Sequence, residues 1–216
     1  MNERLSNVLS VVVLAVVGLR LVQAVTLSRS PRGRSLSRQI WTGLRWRHIW
    51  PVPFVLGGVL LVAIPLLLYV PVLRWGWWSA IGGDGNPVFG SSNTTMGTVW
   101  AWLIPLIFIA LVLLALPLFA NAEERMFRMG AQLWSTRQRV IKVLQFGLIH
   151  AVIGIPIGVV LALSVGGAYF MAVYLRSYAL IGSVNEATLE STRAHTAYNA
   201  LIITTVAVVV AVSAVA

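Results

Sequence analysis

The sequence predicts an all-α fold: a polytopic bundle of transmembrane helices with about six spans. Three observations lead there. Apolar runs of about twenty residues, the length that crosses a bilayer, recur along the 216 residues. Charge is scarce: 58% of residues are hydrophobic and 10% charged, with a mean hydropathy of +0.86, against about 25% charged in a soluble domain. The cations also gather in two stretches between apolar runs, as the positive-inside bias requires.

The first span is expected at 9–28, where Arg20 can snorkel to the interface. Residues 29–48 then carry Arg29, Arg32, Arg34, Arg38, Arg45 and Arg47 with no acid, which marks a cytoplasmic loop. His48, in this loop, is expected to face solvent or lipid headgroups. A second span at 51–73 contains Pro65, a bending point. Trp75, Trp77 and Trp78 read as an interfacial belt before an external loop with Asp84 and an Asn93-Thr94-Thr95 triplet. A third span at 98–120 returns inward. A second basic stretch, 121–142, holds Arg125, Arg128, Arg137, Arg139 and Lys142. Spans four, five and six are expected at 143–164, 166–182 and from Ser191 onward, with both termini outside. Residues 1–97 would form two spans with their loops, and 98–216 a core of about four.

The net charge of +10 follows from that bias, and no basic run is interleaved with aromatics as a base-stacking platform. Nucleic acid is therefore not an expected partner; membrane lipid is. The absence of cysteine excludes disulfides, thiolate chemistry and cysteine-based metal sites.

The most informative stretch is Asn121–Gly130, NAEERMFRMG. Only six residues in the chain are acidic, and two of them, Glu123 and Glu124, stand side by side after a long apolar run. A carboxylate at membrane depth costs roughly 2.5–3.5 kcal/mol and persists when it has a partner or a task. Glu124 and Arg128, four apart on one helix face, are spaced for an ion pair. His195 and Asn199 share a face by the same spacing. The expected topology places Glu123, His150, His195 and Asn199 in the cytoplasmic half of the bilayer on three helices, the kind of convergence a buried hydrolytic site needs. Taken singly, each has a plain structural reading as a helix-end ion pair or polar contact between helices.

Glu123-Glu124-x-x-x-Arg128, Phe146-x-x-x-His150 and His195-x-x-x-Asn199 resemble, in order, the three signature motifs of the CPBP family. That family, also called Abi, comprises the CAAX proteases and bacteriocin-processing enzymes and includes the type II CAAX prenyl endopeptidases. The resemblance covers about residues 98–205. It implies an intramembrane endopeptidase of a prokaryotic inner membrane, its site facing the cytoplasm and its substrate a membrane-associated peptide or protein. In that reading Glu123 and His150 activate a water, and His195 and Asn199 stabilise the oxyanion. Glu124, Arg128 and Phe146 support them from behind. No cofactor is implied; the alternative is a catalytic zinc held by Glu123, His150 and His195, a donor set that suits an open zinc site. A non-catalytic membrane scaffold or immunity-type protein keeping the same fold is the alternative function.

Overall fold

The computed structural model describes residues 3–77 and 98–213. Eight α-helices occur among them: α1 (Glu3–Arg29), α2 (Pro31–Thr42), α3 (Trp46–Ile49), α4 (Val52–Tyr69), α5 (Trp100–Phe127), α6 (Thr136–Leu148), α7 (Ile157–Ile181) and α8 (Val184–Ser213). Short 3-10 turns lie at Pro71–Arg74, Ala131–Leu133 and Ile149–Ile153, and no strand occurs among the described residues. The external loop, with Trp78, Asp84 and Asn93-Thr94-Thr95, lies outside the described residues.

Four segments are long and apolar enough to cross a membrane: Trp46–Tyr69, Leu106–Leu133, Ile157–Ile181 and Val184–Val212. The chain is thus an integral membrane protein. Its outward faces agree, since Leu61, Leu114, Leu180 and Val209 are all exposed, as lipid-facing residues must be.

Helix starts are set locally. Ser30 accepts from the Gly33 amide at 3.0 Å and Pro31 opens α2, both favoured at a helix N-terminus. Ser135 and Gln138 form a reciprocal capping box at the start of α6, satisfying two orphan amides.

The expected fourth span at 143–164 and fifth at 166–182 are not found as such. α6 ends at Leu148, tightens into the 3-10 turn Ile149–Ile153 and reverses at Gly154, whose φ of +82° is the left-handed region glycine reaches without strain. Pro156 then lacks the amide that would continue a helix, and a single helix, α7, runs through the expected 164–166 boundary. The run IGIPIG is as apolar as its surroundings, so hydropathy alone passes over the break.

α7 is the hub, packed on α4, α6 and α8, while α5 packs on α8 and α1. The α6–α7 approach is close: a Cβ at Gly147 would fall on the Val160 carbonyl and within 2.6 Å of the Ser164 hydroxyl. One end of the bundle holds Trp75 and Trp77 against the start of α7. Trp77 Nε1 donates to the Ala151 carbonyl at 2.7 Å, and the Ile157 amide donates to the Trp75 carbonyl at 3.0 Å. The other end gathers the basic stretch and the start of α8. There Glu190 accepts from Arg47 at 2.8 Å and Arg193 at 2.6 Å, and meets His48 Nε2 at 2.9 Å. His48 is therefore not solvated as expected: it is 2% exposed, because an acid in an acid-poor chain draws in every nearby donor.

Candidate active site

The core between α5, α6, α7 and α8 is built from Phe127, Phe146, Phe170, Ala194 and Tyr198, with Val52 of α4. Into this apolar wall the fold inserts Glu124 and Arg128, both 0% exposed, and His195, 1% exposed. Charges so buried must be paired and hydrogen-bonded, and these are. Arg128 donates to Glu124 Oε1 at 2.9 Å, the i,i+4 pair the sequence predicts. His195 Nδ1 lies 2.8 Å from the same oxygen. Ser191 donates to Oε2 and also lies 3.0 Å from the Phe170 carbonyl. Glu124 is thereby held on both oxygens: three donors share its roughly four acceptor sites.

That arrangement fixes His195. The Glu124 carboxylate accepts, so Nδ1 carries the hydrogen and Nε2 is turned the other way. It faces Glu123, with Nε2 to Oε2 at 3.7 Å, too long for a direct hydrogen bond and within reach of a shared water. Glu123 is 31% exposed at its side chain, yet its Oε2 is covered and has no hydrogen-bond partner. The two adjacent glutamates thus stand in opposite states, one locked in and one available.

Phe146 is the shared wall. The Arg128 guanidinium lies 4.2 Å from its ring centroid, a cation–π distance. Its edge contacts reach His195 at 5.4 Å and His150 at 5.3 Å. Phe170 stacks on His195 at 4.4 Å with an interplanar angle of 21°. His150 sits in the 3-10 turn rather than two turns inside an α-helix, and its Nδ1 lies 2.8 Å from the Phe146 carbonyl. A carbonyl only accepts, so Nδ1–H donates and Nε2 of the neutral ring holds the lone pair. Asn199, one turn beyond His195 on α8, is half-buried, and its side chain makes no hydrogen bond to the described residues.

Phe170 precedes the end of α7 at Ile181 by eleven residues, and His195 follows the start of α8 at Val184 by eleven. At 1.5 Å per residue the cluster lies about 16 Å below the turn joining these helices. Glu123, His150 and His195 do not assemble as a metal-binding group, and no other set of three histidine or carboxylate residues does so among the described residues.

Two supporting residues escape the motif reading. Ser191 lies four positions before His195 and so on its face, a spacing that could have found it. Phe170, in the apolar run AYFMAV, carries no comparable signal.

The chain is 42% identical over 55 residues to adenosylcobinamide-GDP ribazoletransferase of Laribacter hongkongensis (strain HLHK9), a stretch of 21% of this chain. It spans about a fifth, 22%, of that protein's length. No family model and no solved structure matches the chain.

Proposed function

We propose that the chain is an intramembrane endopeptidase that hydrolyses a peptide bond of a membrane-associated substrate, as its three CPBP-like motifs imply. One observation carries the reading: the covered, unpartnered Glu123 Oε2 stands 3.7 Å from His195 Nε2, while Glu124 holds the other face of that imidazole.

A water bridging the two groups gives its proton to Glu123, and its oxygen attacks the substrate carbonyl. If His195 carries a proton on both nitrogens, the buried group of Glu123, Glu124, Arg128 and His195 sums to zero charge. Its Nε2–H then faces the developing oxyanion, with Asn199 the second donor; such preorganised donors contribute roughly 3–4 kcal/mol each. As the C–N bond breaks, Glu123 returns its proton to the leaving amine. His150 presents its Nε2 lone pair as a second base. No step runs through a metal, for which these donors do not converge.

Six crossings follow if α1 and the α6 segment through Ile153 also span. Thirteen α-helical and five 3-10 residues give about 30 Å. The arginine-rich end then faces the cytoplasm of a prokaryotic cell.

The test is Glu123→Gln, which keeps shape and removes the base. A membrane-associated peptide or protein accumulates uncut in cells carrying it, and cleavage by the purified protein falls by 10²–10⁴-fold. A scaffold would keep its function through this substitution. Loss of wild-type cleavage on chelation, with recovery on adding zinc, would overturn the metal-free mechanism.

A further inference from the structure

A cavity of about 830 Å³ opens between α1, α2, α5 and the start of α8. It is not the catalytic cluster. α5 turns Leu118, Asn121, Ala122 and Arg125 toward it, whereas Glu123, Glu124 and Phe127 lie more than a quarter-turn round the same helix, at about 100° per residue. The cavity's charge is of one sign. Arg32 and Arg125, both exposed, line it, no carboxylate does, and neither guanidinium has an ion-pair or hydrogen-bond partner among the described residues. Its remaining wall mixes leucines (Leu27, Leu118 and Leu189) with neutral polar side chains such as Gln39, Asn121 and Asn185.

Two unpartnered guanidinium groups beside a wall that is part leucine and part neutral polar suit an amphiphilic anion with a polar, phosphate-bearing head. Arginine recognises phosphate through paired N–H donors, and the leucines take the beginning of a hydrocarbon chain. The position selects the source. The cavity lies at the arginine-rich end of the bundle, where α2 meets membrane-spanning α5 and α8, and basic pockets between helices on that side hold anionic lipid headgroups. We infer that this cavity is a binding site for the phosphate headgroup of an anionic phospholipid, independent of whether the chain cleaves anything.

The purified full chain in non-ionic detergent is titrated with phosphatidylglycerol, phosphatidylcholine or inorganic phosphate, and bound molecules are counted by native mass spectrometry. One phosphatidylglycerol is expected to bind at least tenfold tighter than phosphatidylcholine. Arg32→Gln/Arg125→Gln weakens it roughly thirtyfold, at about fivefold per arginine. Ser35→Trp obstructs the cavity mouth while keeping both charges, and it too is expected to lower the preference. Gel filtration confirms folding, and if the double variant fails there, Ser35→Trp alone decides. Equal binding of the two lipids overturns the inference. So does full preference in Ser35→Trp, which would mean diffuse surface attraction. Binding of inorganic phosphate that phosphatidylglycerol does not displace would make the ligand a soluble anion. Binding of an acidic peptide where phosphatidylglycerol fails would make the cavity a substrate subsite.

Discussion

Arg128→Met tests whether the buried ion pair is a structural necessity of the site. The guanidinium lies 2.9 Å from Glu124 with neither side chain exposed, an attraction of about 6 kcal/mol at an effective dielectric of about 20. Desolvation cancels much of that gain, so the pair adds little net stability while intact. Removing one partner is different, because it strands the other charge; breaking a buried pair costs about 3–5 kcal/mol. His195 and Ser191 still donate to Glu124, which places Arg128→Met near the lower end, about 3 kcal/mol. The packing of the guanidinium on Phe146 is replaced in kind by the methionine stem. Adding Glu124→Gln removes the stranded charge, so the double variant should recover at least about 1.5 kcal/mol of the loss, a coupling typical of groups in one network. Equilibrium unfolding in mixed micelles with increasing dodecyl sulfate measures all three variants. If Arg128→Met costs under about 1 kcal/mol, or the two substitutions simply add, Glu124 does not depend on Arg128 and the account of the site is wrong.

Ser191→Ala removes a donor to a buried carboxylate and is expected to cost about 1.5 kcal/mol in the same unfolding assay. Because it loosens the group that orients His195, it should lower kcat for a cleaved reporter peptide more than it raises KM; an effect on KM alone would place Ser191 in substrate binding. Gly147→Ala drives a methyl group into the Val160 carbonyl and Ser164 and should destabilise the α6–α7 contact by about 1–3 kcal/mol. Thermal unfolding checks it, and an unchanged midpoint would mean that the two helices separate easily.

Much of this molecule is legible in its sequence, for identifiable reasons. Apolar length marks the spanning helices, and a spacing of four marks the Glu124–Arg128 pair, because both are local rules. The position of His195 against the glutamates follows from one further step, the expectation that α5 ends where α8 begins. The break at Gly154–Pro156 is not visible to hydropathy, which sees isoleucines on both sides of it. It moves His150 out of an α-helix and into a turn. The burial of His48 depends on Glu190, 142 positions away, and no local pattern encodes that meeting. The hold on both Glu124 oxygens likewise needs Ser191 and His195 to arrive from another helix. The adjacent glutamates look equivalent on paper, and only packing separates the locked one from the available one.

Under the proposed function, the depth of the cluster beneath the α7–α8 turn would set a ruler for a substrate. An extended backbone advances about 3.3 Å per residue, so under the proposed cleavage a chain entering along α7 and α8 would thread about five residues before a peptide bond met His195. A helical segment would have to unwind to expose its carbonyl there, and a membrane anchor closer than about five residues to the cleaved bond would hold the bond out of reach.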